Sequence, residues 1–122
     1  HWYGVFSGRY TWQEGQDFAT AVGGYLATVT SSEEGAFISP QISSAGAAWL
    51  GGYQDLSAGD YSEPGGGWRW VTGEPWKYTS WNTNEPNNGG AGEHYLQAFS
   101  NGLWNDQHAN GVMHIVVEWS AD

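Results

Sequence analysis

The chain has 122 residues, enough to bury a core as one domain spanning residues 1–122, and carries thirteen acidic against three basic residues for a formal net charge of −10. The basic residues, Arg9, Arg69 and Lys77, are scattered, so no positive stripe exists to hold phosphates and the composition argues against nucleic acid as a partner. No apolar run approaches the roughly 20 residues of a membrane-spanning helix, and the lack of cysteine removes disulfides, thiolate metal sites and cysteine nucleophiles together.

In chain order, residues 2–6 read as a first strand and Ser7-Gly8 as its turn. Thr11 followed by Glu14 has capping-box spacing, and Gly23-Gly24 is a stop signal, which predicts a helix over residues 12–22. Residues 25–29 look extended. Ser31 with Glu34 repeats the capping spacing and predicts a second helix that Pro40 ends or kinks. Four short runs rich in aromatic or β-branched residues follow, AAWLGGY, GWRWV, HYLQAF and MHIVVEW, separated by Gly, Asn and Asp.

The longest stretch without a strand signal is residues 72–93, and a loop of that length in a compact domain is usually functional or disordered. Trp76 and Trp81 within it are expected to pin it to the body. The stretch contains Glu85-Pro86-Asn87 and approaches Glu93 through a glycine-rich run. A cis peptide bond at Pro86 would turn the flanking side chains toward one point. Asn105 and Asp106 follow an Asn101-Gly102 turn signal that folds the chain back as a hairpin. A strict two-residue turn would pair Asn105 with Ala98, roughly 16 Å along the strand from Glu93. Convergence of the five residues therefore requires a wider turn or a bent strand, and spacing alone leaves a solvated turn and a cation cage both open. If they converge, hard oxygen ligands without thiolate select Ca²⁺, which takes about 6–8 oxygens, over zinc. Acid and amide together would also serve a sugar hydroxyl, Glu accepting its proton and the Asn NH₂ group donating to its lone pair.

The segments GGYLATVTSSEEGAFI, WLGGYQD, WRWVTGEPWKYTSWNTNEPNN, GLWND and VVEW, in that order, resemble the C-type lectin-like domains over nearly the whole chain. The resemblance implies an α+β C-type lectin fold: two helices, short antiparallel sheets and a long loop carrying a calcium-dependent sugar site. It implies Glu85, Asn87, Glu93, Asn105 and Asp106 as ligands of Ca²⁺ and of carbohydrate, with Pro86 cis. It associates Glu-Pro-Asn with mannose, glucose, N-acetylglucosamine or fucose rather than galactose. The expected partners are glycans or glycoconjugates in an extracellular setting, secreted or at the cell surface, without membrane insertion. A chain that begins at His1 and is rich in Trp, Tyr and Gly suits a processed product or an excised domain, in a larger protein or multivalent assembly.

Two departures from the family pattern stand out. Ala19, Tyr95, Ala109 and Val117 occupy the positions of the usual cysteines, and apolar packing is expected to replace both bridges. Asn88 and His94 stand where an auxiliary calcium site would have acids; Asp55, Asp60 and Glu63 are the remaining candidates for it. Trp49, Trp81, Trp104 and Trp119 are expected in the core, and His94 and His108 as exposed loop residues. Glu85 and Glu93 as a glycosidase acid and base would leave Asn87, Asn105 and Asp106 without roles, so no enzyme is expected. The competing reading is a protein-interaction or ice-binding module of the same fold, using calcium only for stability.

Overall fold

The computed structural model describes residues 1–42, 46–90 and 92–120; Ala91, in the glycine run, lies outside them. Strand β1 (Trp2–Tyr10) leads into helix α1 (Trp12–Ala21), the short strand β2 (Tyr25–Leu26) and helix α2 (Ser32–Ile38). After a 3₁₀ turn at Ser39–Gln41 come β3 (Ala47–Gln54), β4 (Trp68–Trp70), β5 (Glu93–Phe99), β6 (Trp104–His108) and β7 (Met113–Trp119).

Both expected N-caps form. Thr11 Oγ1 accepts from Glu14 N at 3.1 Å and Glu14 Oε1 accepts from Thr11 N at 2.9 Å, which satisfies two otherwise orphaned donors at the start of α1. At α2 the Ser31 Oγ accepts from Glu34 N at 3.1 Å, but the Glu34 carboxylate turns to Thr30 N and Oγ1 and the reciprocal half of the box is not formed. Pro40 sits at the start of the 3₁₀ turn, where a missing N–H costs nothing. The first strand does not reverse at Ser7-Gly8. It continues to Tyr10 with an irregularity between Phe6 and Tyr10, and Gly8 N donates to His114 Nδ1 at 3.1 Å.

The sheet runs β1-β7-β3-β5-β6, with β2 attached to β7 and β4 to β3. The pairs are antiparallel except β3–β7, which is parallel. The sheet is therefore mixed, not a set of antiparallel pieces. Alternate residues of β3 and β7 enter two different cores: Ala48, Leu50 and Val116 join Trp68, Trp70, Leu96 and Trp104, while Trp49, Ile115 and Val117 join Trp12, Ala19 and Leu26. That is the period-2 alternation of a sheet buried on both faces.

Ala19 and Val117 are both fully buried in one cluster, so apolar packing occupies two of the four positions of the usual cysteines. The other two differ. Tyr95 packs its ring 4.8 Å from that of Trp12, whereas Ala109 is exposed. Trp49 and Trp104 are core residues as expected; Trp81 and Trp119 are half-buried at the core margin.

The long loop is pinned by its tryptophans. Trp76 lies 4.6 Å from Trp70 and 5.7 Å from both Trp68 and Trp104, and Trp81 meets Trp104 edge-on at 5.8 Å. Backbone bonds add to this: Trp104 N donates to Ser80 O at 2.8 Å and Asn82 N to Trp104 O at 2.9 Å. The residues just after this anchorage are the expected site.

Candidate functional site

The hairpin of β5 and β6 has both a wider turn and a bent strand. Its turn is wider than two residues, with Phe99 N donating to Leu103 O, and this pairs Asn105 with Gln97. The strand also bends. Glu93 pairs with His108 and Tyr95 with Gln107, so His94 is an extra residue on β5. A one-residue slip exchanges the faces of a strand; it puts Glu93 on the same face as Asp106 and His108.

Four of the five expected residues meet there. The peptide bond before Pro86 is cis. Asp106 is completely buried and accepts from two successive loop amides, Asn87 N at 3.1 Å on Oδ1 and Asn88 N at 2.8 Å on Oδ2. Gly89 N is shared between Asn87 Oδ1 at 3.0 Å and Glu93 Oε1 at 2.7 Å, which draws an amide oxygen and a carboxylate oxygen to one point. A Cβ at Gly89 would lie 3.0 Å from that Glu93 oxygen and 3.3 Å from that of Asn87. Asn88, at φ 50°, accepts from Gly92 N and Glu93 N through Oδ1, closing the loop onto the strand.

The electrostatics are those of carboxylates held close together. The Glu85 pKa is raised by burial first, then by Asp106 and Glu93. The Glu93 pKa is raised by burial and by Asp106, against the Gly89 N–H and His108, whose Nε2 lies 3.8 Å from Glu93 Oε2. Glu85 Oε1 is buried without a hydrogen-bond partner, a costly state for a carboxylate oxygen. An orphaned oxygen, mutually opposed acids and an all-oxygen donor set fit a hard divalent cation.

Asn105 is held apart from the other four: its Nδ2 donates to Gln97 Oε1 at 2.8 Å across the hairpin. The acids considered for an auxiliary site have other partners. Asp60 pairs with Arg69 at 2.6 Å, Asp55 accepts from Ser57, and Glu63 accepts from Gln54 at 2.9 Å and from Tyr61 at 2.9 Å. His94 joins this network, its Nδ1 lying 2.8 Å from Gln54 Oε1 and 3.5 Å from Glu63 Oε2. His94 and His108 are therefore half-buried strand residues, not exposed loop residues. Sequence reasoning missed Gln54 and Gln97, for which no local signal exists, and it named Asn88 only as a departure from the auxiliary calcium pattern, not as the residue that closes the loop onto β5. Among the described residues, the group of three His, Asp or Glu ligand atoms all within 4.8 Å of one another is elsewhere: His1, Glu34 and Glu118.

Among known proteins, the Lectin C-type domain matches residues 8–117. Pig pulmonary surfactant-associated protein D is 32% identical over 111 residues, covering 88% of this chain and 27% of that protein. The chain thus spans about a quarter of the length of such relatives. Among solved structures, the carbohydrate-recognition domain of cow CD23, determined in the presence of a GlcNAc2Man3 oligosaccharide, superposes with a TM-score of 0.84 at 23% identity, covering 98% of this chain and 88% of that one. A calcium-independent type II antifreeze protein superposes with a TM-score of 0.80 at 23% identity, covering 94% and 82%. The site geometry and the match over nearly the whole chain lead to one conclusion: this chain belongs to the C-type lectin domain family.

Proposed function

We propose that residues 1–122 form a non-enzymatic, calcium-dependent carbohydrate-binding domain that works outside the cell. Glu85, Asn87, Glu93, Asn105 and Asp106 hold Ca²⁺ and the sugar, with mannose, glucose, N-acetylglucosamine or fucose favoured over galactose. The observation that carries this reading is the orphaned Glu85 Oε1 facing Asp106 and Glu93. Ca²⁺ bound there supplies positive charge to that oxygen and open coordination positions for two neighbouring hydroxyls. The chain's own residues do the rest. Glu85 and Glu93 accept hydroxyl protons, and the Asn87 and Asn105 NH₂ groups donate to hydroxyl lone pairs; for Asn105 this requires release of its bond to Gln97. Asp106 holds the loop in register through Asn87 N and Asn88 N. Weak affinity for one sugar gains avidity from multiple copies.

The test is retention on immobilised mannose in calcium with release by chelator, repeated on immobilised galactose. The double substitution Glu85→Gln with Asn87→Asp should exchange the two preferences. Retention by neither matrix, or retention indifferent to chelator, contradicts the reading. The Asn105–Gln97 bond favours a second reading, in which the cation meets four protein ligands and serves stability alone, as a protein- or ice-binding module would use it; calcium that raises Tm without any sugar binding would select it.

A further inference from the structure

Away from the long loop, β1 and α2 frame an open cavity of about 390 Å³ lined by His1, Tyr3, Glu33, Glu34 and Phe37. Phe37 is 61% exposed, and its ring lies 5.7 Å from that of Tyr3 at 54°, so two aromatic faces form an open V. Carboxylates rim it. Glu34 is held below its ordinary pKa: burial opposes ionisation, but hydrogen bonds from Tyr3 OH at 2.6 Å and from Thr30 N and Oγ1 outweigh it. Glu33 is exposed on the first turn of α2. Behind them, Glu118 lies within 4.8 Å of Glu34 and His1.

An exposed aromatic pair edged by acids, on a chain of net charge −10, is complementary to a cation with an apolar stem. We propose that this groove docks a lysine side chain of a basic peptide, independently of the calcium loop. The methylene stem lies along Phe37 and Tyr3, and the ammonium meets Glu33 and Glu34. Lysine suits it better than arginine. Both Glu34 oxygens already accept hydrogen bonds, Oε1 from Thr30 and Oε2 from Tyr3, so the inner carboxylate has no free edge for a two-pronged guanidinium, whereas an ammonium meets both acids as a point charge.

The test is titration of the whole chain with tetralysine in chelator, followed by NMR shifts of the Tyr3 and Phe37 amides and by calorimetry. Binding should weaken about two- to fivefold in Phe37→Ala and by a similar factor in Glu33→Gln, with no change in Asp17→Asn, an exposed acid on α1. Phe37 and Glu33 are both exposed, so folding is not at issue, and unchanged Tm values would show it. Three results overturn the proposal: no binding at millimolar tetralysine, equal weakening by all three substitutions, which would mean attraction to net charge alone, or equal affinity for tetra-arginine.

Discussion

Replacing Glu118 by Gln should stabilise the protein above neutral pH and leave it nearly unchanged in acid. Glu118 is 1% exposed, and its pKa is raised from 4.5 to about 7 by burial first and by Glu34 and Glu74, against hydrogen bonds from Thr28 N at 2.9 Å and from Tyr25. The groups facing it come from every neighbouring element: His1 ahead of β1, Tyr3 on β1, Tyr25 on β2, Glu34 on α2 and Glu74 in the loop after β4. The His1 ring meets Glu118 through Nδ1 and Oε2. The folded state thus holds a proton that the unfolded chain has already released at the same pH, so stability falls as pH rises from about 4.5 to about 7 and then levels off. At about 1.4 kcal/mol per pKa unit, the loss is on the order of 3 kcal/mol. Urea unfolding followed by tryptophan fluorescence in chelator, from pH 4.5 to 8, gives the difference between wild type and Glu118→Gln. That difference should grow in favour of the variant by about 3 kcal/mol. A flat difference, or a wild type that gains on the variant as pH rises, would mean that burial does not raise the Glu118 pKa.

Asp106→Asn keeps the shape but turns one acceptor into a donor facing Asn87 N or Asn88 N. Thermal unfolding in chelator should show a loss of about 1–3 kcal/mol, and no loss would mean that these bonds do not hold the loop. Gly51→Ala should be more severe. Its Cβ would strike Leu26 O and lie 2.9 Å from Val71 Cγ2, where Gly51 N donates to Ala27 O and Gly51 O accepts from Val71 N; a loss of about 3 kcal/mol or more is expected by urea titration, and an unchanged midpoint would contradict the packing described.

How much of this was legible depended on whether the cause was local. The start of α1 is written in Thr11 and Glu14, because a capping box closes within four residues. The wide hairpin around Asn101-Gly102 and the cis bond at Pro86 are local in the same sense. The bulge at His94 is not. Nothing near His94 marks it; it is a property of how two strands pair, and it decides which face Glu93 takes. The Asn105–Gln97 bond and the Gln54–Glu63–His94 network likewise depend on cross-strand register and on loops distant in sequence. The parallel β3–β7 pair joins segments more than sixty residues apart, at Trp49 and Ile115, and short aromatic runs carry no signal of direction. Ser7-Gly8 misled because a glycine suits an irregular strand as well as a turn.

The most direct test of the central claim is calorimetric titration of mannose and of galactose, each in calcium and in chelator. Heat of binding is expected for mannose in calcium only, with galactose weaker or silent. Silence for both sugars in calcium, or mannose binding undiminished by chelator, would contradict that claim.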